Sequence, residues 1–460
     1  MKKYSKAAFL VALAVMTGGC TMQTYEDFEI PQQGESTLSP IGSYYIENNY
    51  DGIPATKEET VLSYTTPDGI CTIEKKESYY DVTLNYEGND YYDVGVAYGT
   101  AILEVFPDYS KIMEPYIYEN ISYAFPDIEG DYSGIQKRAD TLKASLSDDY
   151  IKEMEGIASV IGKNSQGFKK DGILSPEEIY IAQMVPDALR PTACSSITVN
   201  GNRTTTGERI TSRIMEWGLG SDKQILSAHC VLHSENGDKS YTSITTLGLM
   251  DVITGINNDG VMIACHDVGS AHNVPYTCEN KTPQSYAARY CLENYSSAKD
   301  AGNYLVENAL NYTFSTNFLL TDKNDAFCAE IAVDPLDGTP ILRDSSTELH
   351  SGLSWDDENL LCIVNSFAAK ENSDLITSNS GNLVRWEKYR RIFCTDELLS
   401  FSRFKELITC EKMTDMVINF RSSEVVHLVV VDYSTGNIEI IFPHDEDMVD
   451  TPEFLDAGKY

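Results

Sequence analysis

The chain reads as an α+β protein: two stacked antiparallel sheets between helical layers, preceded by a mainly helical N-terminal segment. Two patterns lead there. Between residues 91 and 190 apolar side chains recur at three-and-four spacing, the signature of helices with one buried face. Beyond residue 194 short β-branched runs alternate with helix pairs, and strand blocks interleaved with helices bury best as stacked sheets covered on both outer faces. At 460 residues the chain can build one large or two ordinary domains.

Element by element, residues 41–90 are rich in Tyr, Asp, Asn and Gly and hold short alternating runs such as 80–84, read as strands or loops. Residues 94–105, 135–146 and 150–161 predict helices. Ser175-Pro176-Glu177-Glu178 predicts a helix start, with Ser as N-cap, Pro in the first position and acids in the first turn. That helix is expected to run toward Met184, with Pro186 and Pro191 ending it. Strands follow at 195–200, 209–217, 226–233, 242–249 and 260–267, with turns at Asn236-Gly237-Asp238 and Asn257-Asn258-Asp259-Gly260. Helices at 283–292 and 297–310 come next, then strands at 314–321, 326–333 and 360–366. Helices at 382–399 and 401–418 precede a closing hairpin, 425–433 and 436–442, around Ser434-Thr435-Gly436.

The composition excludes some functions. Hydrophobic content of 42% belongs to a folded chain, not a disordered one. A net charge of -35 repels nucleic acid and anionic lipid, so no nucleic-acid partner is expected. The first residues read as targeting. Lys2, Lys3 and Lys6 precede an apolar run, 7–16, too short to span a bilayer. Thr17-Gly18-Gly19-Cys20 then resembles a bacterial lipobox, with Thr17 where an aliphatic residue is usual. The expected organisation is a signal peptide at 1–19, lipidation at Cys20, a tether at 20–40, an N-terminal segment at 41–193 and a catalytic domain at 194–460. The expected location is the bacterial cell envelope, lipid-anchored and outside the cytoplasm, periplasmic or on the surface, with ordinary secretion as the alternative.

Of eleven cysteines, Cys20 is set aside for lipid and Cys194 for chemistry, which leaves an odd number and at least one free thiol. Cys265 and Cys362 sit in apolar runs and read as small buried hydrophobes. No Cys or His spacing suggests a metal, and no cofactor is expected. His229 and His233 share a strand face without a third ligand. His266-Asp267 ends an apolar strand and reads as a satisfied histidine at the core edge.

Cys194 carries the chemistry. It opens the apolar run Cys194-Ser195-Ser196-Ile197 behind a small residue, Ala193. A thiol attacks a carbonyl as thiolate and needs a base. If the bond between Ala193 and Cys194 is cut, the new α-amine, with an unperturbed pKa of about 7.7–8.0, can take that proton without a histidine. The alternative is a buried cysteine at a strand start.

The surrounding residues resemble the cysteine N-terminal-nucleophile (Ntn) amidohydrolases, the group of acyl-coenzyme A:6-aminopenicillanic acid acyltransferase, choloylglycine hydrolase and acid ceramidase. The resemblance runs from about residue 92. Met154-Glu155-Gly156-Ile157-Ala158 and residues 175–184 are similar to the acyltransferase group's helices before the cut. Cys194-Ser195-Ser196 is similar to its Cys-Thr-Ser opening, and Arg213-Ile214-Met215-Glu216-Trp217, 19 residues on, to its Arg-Asn-Leu-Asp-Trp element. Gly255-Ile256-Asn257-Asn258-Asp259-Gly260 matches a Gly-x-Asn-x-x-Gly turn, and Ile363-Val364-Asn365-Ser366-Phe367 a Thr-Asn-His/Tyr element.

The resemblance implies a four-layer αββα Ntn-hydrolase fold and a role for each residue. Cys194 is the nucleophile and its α-amine the base. Asn365 donates to the oxyanion, and Arg213 favours the thiolate. Glu216, one methylene longer than the family's aspartate, holds the α-ammonium. Arg385 is the arginine kept in a late helix. Each has a plainer reading: a cross-strand ion pair for Arg213 and Glu216, a strand-end cap for Asn365, and a charged helix face for Arg385. The implied activity is hydrolysis of a linear carbon–nitrogen amide in a small N-acyl substrate, through a thioester and after self-cutting between Ala193 and Cys194. Acyl transfer to an amine acceptor is the near alternative, and a catalytically inactive binding lipoprotein the distant one. Bile-acid conjugates, N-acyl amines, acylated peptides and β-lactams all remain open as substrates. The loops at 200–206, 266–276 and 368–380 are expected to choose among them.

Overall fold

The computed structural model describes residues 49–125, 130–189, 194–269, 271, 278–355, 357–376, 380–409, 425–443 and 453–460. The expected signal peptide and tether, with Cys20, and Ala193 lie outside the described residues. Among the described residues no helix is long and apolar enough to cross a membrane.

Two sheets form the centre. The first contains β4 (Cys194–Val199), β5 (Ile210–Glu216), β13 (Leu360–Ile363), β14 (Val425–Asp432), β15 (Asn437–Ile441) and β16 (Leu455–Lys459), in the order β13-β4-β5-β14-β15-β16. The second contains β1 (Leu62–Thr65), β2 (Cys71–Lys75), β3 (Tyr80–Asn85), β6 (His229–Glu235), β7 (Tyr241–Thr246), β8 (Thr254–Asn257), β9 (Met262–Asp267), β10 (Thr316–Thr321), β11 (Ala326–Ile331) and β12 (Ile341–Arg343), ordered β1-β2-β3-β6-β7-β8-β9-β10-β11-β12.

Strand alternation assigns each face. Val231, Ile244, Ile256 and Leu319 of the second sheet pack against Val429, Val431, Ile438 and Ile440 of the first, which makes the sandwich core. On its outer face the first sheet buries Ile197, Ile214, Leu428 and Val430 against Trp386, Tyr389 and Phe393 of the Ser380–Phe393 helix and Phe404 of Phe401–Thr409. The second buries Ile263, Phe318 and Leu320 against Ala288, Cys291 and Leu292 of Gln284–Asn294 and Leu305 of Ala298–Glu307. The layers therefore run helix, sheet, sheet, helix.

The N-terminal segment corrects one expectation. It is helical from Tyr91, but its strands β1–β3 extend the second sheet, and β3 lies parallel to β6, so that sheet is not purely antiparallel. A parallel partner needs a long crossover, and here six helices plus β4 and β5 intervene. The helix Tyr109–Ala124 also escaped the sequence reading, because Pro115 stands inside it. The Ser175 capping box is present, but that helix ends at Ala182; Pro186 then sits in the first turn of a new one, Val185–Leu189, where a missing N–H costs nothing. The chain closes not on the β14–β15 hairpin but on β16, whose Gly458 has φ +94.

A buried network ties the segment to the rest. Helices Tyr91–Val105 and Asp148–Ile161 meet backbone to backbone: a Cβ on Gly95 would stand 2.1 Å from the Glu153 carbonyl oxygen, and one on Gly156 2.2 Å from that of Tyr92. This contact carries Glu153, fully buried, to Arg289 of the Gln284–Asn294 helix. Arg289 also donates to Glu293 at 2.9 Å, and its guanidinium stands 4.5 Å from the Tyr150 ring centre. Tyr86 donates to Glu153, and Tyr150 to Glu293 at 2.6 Å. Three residues from before position 194 thus partner two from after it.

Candidate active site

Cys194 is the first residue of β4 and is 6% exposed. Ile197 and Val199 face the outer helices, and Tyr389 donates to Ser195 Oγ at 2.9 Å on that same side. The alternate residues Cys194, Ser196 and Thr198 face the second sheet, where Ser196 Oγ meets His266 Nε2 at 2.8 Å. In register, Cys194 lies opposite Met215 on β5, and Met215 opposite His427 on β14.

Side chains hold the main chain of Cys194 at both ends. Its backbone N–H donates to Asn365 Oδ1 at 2.6 Å, and its carbonyl accepts from Arg385 Nη1 at 3.0 Å. Arg385 Nη2 donates to the same Asn365 Oδ1 at 2.8 Å and to Asn382 Oδ1. Asn382 Nδ2 returns to the Asn365 carbonyl at 3.0 Å. The Asn365 turn is itself fixed from β10 and β11. Asn317 Nδ2 donates to the Val364 and Ser366 carbonyls at 3.0 and 2.9 Å, and buried Glu330 accepts from the Ala368 and Ala369 amides while paired with Arg343.

The sequence-derived residues thus fall into two groups. The Cys194 main chain, Asn365, Arg385 and Glu216 are linked at the start of β4, with Glu216 Oε2 3.4 Å from Arg385 Nη1. Arg385 is buried into the site rather than spread on a charged helix face. Glu216 follows Met215 and so points away from the Cys194 side chain, toward Arg385. Burial pushes its carboxyl pKa up, opposed by Arg385 and then Arg213. Asn365 offers the α-nitrogen its oxygen; its Nδ2 donates to the Asp267 carbonyl at 2.7 Å.

Arg213 stands on the inner face. It is fully buried, with Nη2 donating to the Cys265 carbonyl at 3.1 Å and with Nε and Nη1 lacking hydrogen-bond partners. It forms no ion pair with Glu216 among the described contacts. A buried guanidinium without a carboxylate projects its charge on its neighbours. Burial first, and Arg213 second, push the His266 and His427 imidazoles well below the ordinary histidine range. His266 is a neutral, doubly bonded core residue, as its sequence context suggested.

Beside Met215 opens an apolar cavity of about 50 Å³. Tyr109, Met113 and Tyr116 of the N-terminal segment form one wall, Met215, Trp217 and His427 another. The Tyr109 and Tyr116 hydroxyls are occupied by the Leu247 and Gly218 carbonyls, each at 3.0 Å. Sequence reading missed Asn382, Asn317, Glu330 and His427. Only Asn382, one helical turn before Arg385, carried a spacing signal. Among the described residues no group of three or more His, Cys, Asp or Glu is placed to hold a metal.

Close to the approach to Cys194 lies a pair of buried acids. Asp187 accepts from the Gln284 amide at 2.6 Å and from Ser285 Oγ at 2.6 Å, which pins the Val185–Leu189 turn to a helix start. Burial raises its pKa to about 6 and that of Asp251 to about 8, the latter helped by Asp187 and opposed by Ser285 and Arg289. Both Asp251 oxygens lack a hydrogen-bond partner. A folded pKa raised above the unfolded value means the native state holds protons that the unfolded chain has released. The stabilisation is therefore full below about pH 4 and lost as pH climbs to about 8. Asp251→Asn is expected to flatten the fall in melting temperature between pH 4 and pH 8 and to melt higher than the parent at pH 8. An unchanged slope would refute the assignment.

The layer order is the one the resemblance implied. No protein-family model matches the chain, and no curated protein matches it. Among solved structures it is similar to a Caenorhabditis elegans ortholog of N-acylethanolamine-hydrolyzing acid amidase, at 12% identity and TM-score 0.36 over 52% of this chain and 92% of that one. It is similar to penicillin V acylase from Agrobacterium tumefaciens at 13% identity and TM-score 0.32, over 57% of this chain and 84% of that one. A variant of conjugated bile acid hydrolase from Clostridium perfringens aligns at 9% identity and TM-score 0.33, over 57% of this chain and 92% of that one.

Proposed function

We propose that the protein is a self-cutting cysteine amidohydrolase that cleaves a linear carbon–nitrogen amide in a small N-acyl substrate. One observation carries this reading: the backbone nitrogen of Cys194 is buried and bonded to Asn365 Oδ1 at 2.6 Å, while Arg385 holds its carbonyl. Side-chain groups are spent on orienting one residue's main chain. A core cysteine needs no such grip; a cysteine whose nitrogen becomes the base does.

In maturation the Cys194 thiol adds to the Ala193 carbonyl, the peptide C–N bond breaks to give a thioester and the free α-amine, and water hydrolyses the thioester to release the Ala193 carboxylate and the Cys194 thiol. In turnover that amine takes the thiol proton, and the thiolate adds to the substrate amide carbon. The substrate C–N bond breaks as the amine leaves with the α-ammonium proton. Water then hydrolyses the thioester, the α-amine taking one of its protons and returning it to sulfur. Asn365 Oδ1 orients the α-nitrogen, Arg385 locks Asn365 and the Cys194 carbonyl, and Glu216 acts through Arg385. Arg213 supplies positive potential to the inner face. The lipobox supports a lipid anchor at Cys20, with this chemistry in the cell envelope.

The test is intact mass under denaturing conditions, followed by a panel of N-acyl amides. Two fragments, one beginning at Cys194, with amide turnover support the reading. A single chain that hydrolyses no amide rejects it. Transfer shares every step up to the thioester, so an added amine acceptor that captures the acyl group would identify a transferase.

A further inference from the structure

The main chain at Asn365 is gripped from two sides. Asn317 Nδ2, from β10 of the second sheet, donates to the carbonyls of Val364 and Ser366 at 3.0 and 2.9 Å. Asn382 Nδ2, from the Ser380–Phe393 helix, donates to the carbonyl between them, that of Asn365, at 3.0 Å, and to Ser366 Oγ. Three consecutive carbonyls are thus each held by a side-chain amide. Of the two asparagines, Asn382 also reaches Arg385. Its Oδ1 accepts from Arg385 Nη2, the nitrogen that donates to Asn365 Oδ1 at 2.8 Å. Asn382, Arg385 and Tyr389 follow one another at spacings of three and four, so they share one stripe of the helix. That stripe faces the start of β4: Arg385 Nη1 donates to the Cys194 carbonyl at 3.0 Å, and Tyr389 to Ser195 Oγ.

Arg385 is drawn two ways. Its Nη1 stands 3.4 Å from Glu216 Oε2, the carboxylate it meets among the described residues. A charge-assisted contact at that distance has room to shorten, and opposite charges attract strongly in a buried setting. Shortening would pull the guanidinium off Asn365 and the Cys194 carbonyl, which are uncharged acceptors. The Asn382 oxygen holds it from the other side. An amide suits the position, because one group must accept from a guanidinium and donate to a carbonyl at once. Aspartate can only accept, and leucine can do neither. Asn382 is 3% exposed, so its loss leaves these groups unpaired rather than solvated.

We propose that Asn382 is a positioning residue: it keeps Arg385 on Asn365 against the pull of Glu216, and so keeps the Cys194 nitrogen aligned for its work as base. This rests on the function proposed above and adds a residue to that site. The chain of contacts is short. Arg385 Nη2 and the Cys194 N–H share Asn365 Oδ1, and Asn382 fixes both Arg385 and the Asn365 main chain. Rotation of the Asn365 amide would turn its Nδ2 toward two donors.

Two measurements test this, one of them independent of activity. On the full chain carrying Cys194→Ala, hydrogen exchange of the residue-194 amide is compared with and without Asn382→Leu. With Cys194 intact, kcat and KM for an N-acyl amide are measured per cut chain in the parent, Asn382→Leu, Glu216→Gln and the double variant. Expected with Asn382→Leu are faster exchange and a kcat lower by roughly 10²-fold, the loss that a displacement of about 1 Å can cause, with KM little changed. Adding Glu216→Gln should restore part of that kcat, because nothing then draws Arg385 away. A residue that only fills space would give losses that add. A kcat in Asn382→Leu equal to that of an active parent, or losses that add in the double variant, overturns the proposal. If Asn382→Leu fails to fold, Asn382→Asp replaces it, since it keeps an oxygen for Arg385 but has no N–H for the Asn365 carbonyl. Its kcat should fall as well, and a parent-like kcat would overturn the proposal equally. If the parent neither cuts nor hydrolyses an amide, the hydrolase reading falls. Exchange that quickens with Asn382→Leu then upholds the grip on the nitrogen, and unchanged exchange overturns it.

Discussion

Cys194→Ala is expected to purify as one uncut chain with no amide turnover above background, at a melting temperature close to that of the parent. Among the described residues the Cys194 sulfur makes no hydrogen bond. Its replacement leaves the Asn365 and Arg385 contacts to the Cys194 main chain in place. Stability should change only by the loss of one small buried group, whereas both reactions lose their nucleophile. Cys194→Ser separates two requirements. A hydroxyl at this position keeps the geometry, but an amine of pKa about 8 is a poor base for an alcohol. Slow cutting with turnover reduced by roughly 10³-fold or more is the expected result, read by intact mass over time and by a fluorogenic amide. Wild-type turnover in Cys194→Ala would place the nucleophile elsewhere and end the proposed mechanism.

Arg289→Met is expected to be the most damaging substitution away from Cys194. It strips the counter-charge from Glu153, which is fully buried, and from Glu293. Removing one partner of a buried ion pair costs about 3–5 kcal/mol, because the survivor is left charged and unsolvated. Urea unfolding should show a loss of that order. Adding Glu153→Gln to Arg289→Met should recover part of it, since the second change removes the stranded charge. If the chain is cut as proposed, the same substitution should loosen the piece that ends at Ala193 from the rest, seen as separation on size exclusion under conditions where the parent stays together. Equal stability of parent and variant would mean that the network holds nothing.

The sequence was legible where local chemistry and architecture agree. The Ser175 capping box, the apolar β4 and β5 runs and the Asn257 turn were read from the types of a few adjacent residues, and the strands and helices that layer over Cys194 followed. What stayed hidden depended on distant partners. Nothing near Tyr80–Asn85 announces a parallel neighbour such as β6, and nothing near Pro115 announces that a helix continues through it. The same division holds in the site. Cys194, Asn365 and Arg385 stand in recognisable local contexts and do meet. That Asn365 turns its oxygen to the Cys194 nitrogen, and that Glu216 reaches Arg385, follow from strand alternation and a helix crossing that spacing alone does not encode. The roles read from resemblance for these two residues are accordingly re-assigned in the proposal, from oxyanion donor to positioner of the α-nitrogen and from direct to indirect partner.

The parallel seam between β3 and β6 has a consequence for the life of the molecule. While the polypeptide is continuous, docking those two strands is a unimolecular event at a high effective concentration set by the connecting segment. If the link ahead of Cys194 is severed as proposed, rebuilding the seam after denaturation would become a second-order encounter between separate pieces. Assembly would then be a one-way passage: the intact precursor would renature independently of dilution, and the processed form would survive only as long as it never came apart.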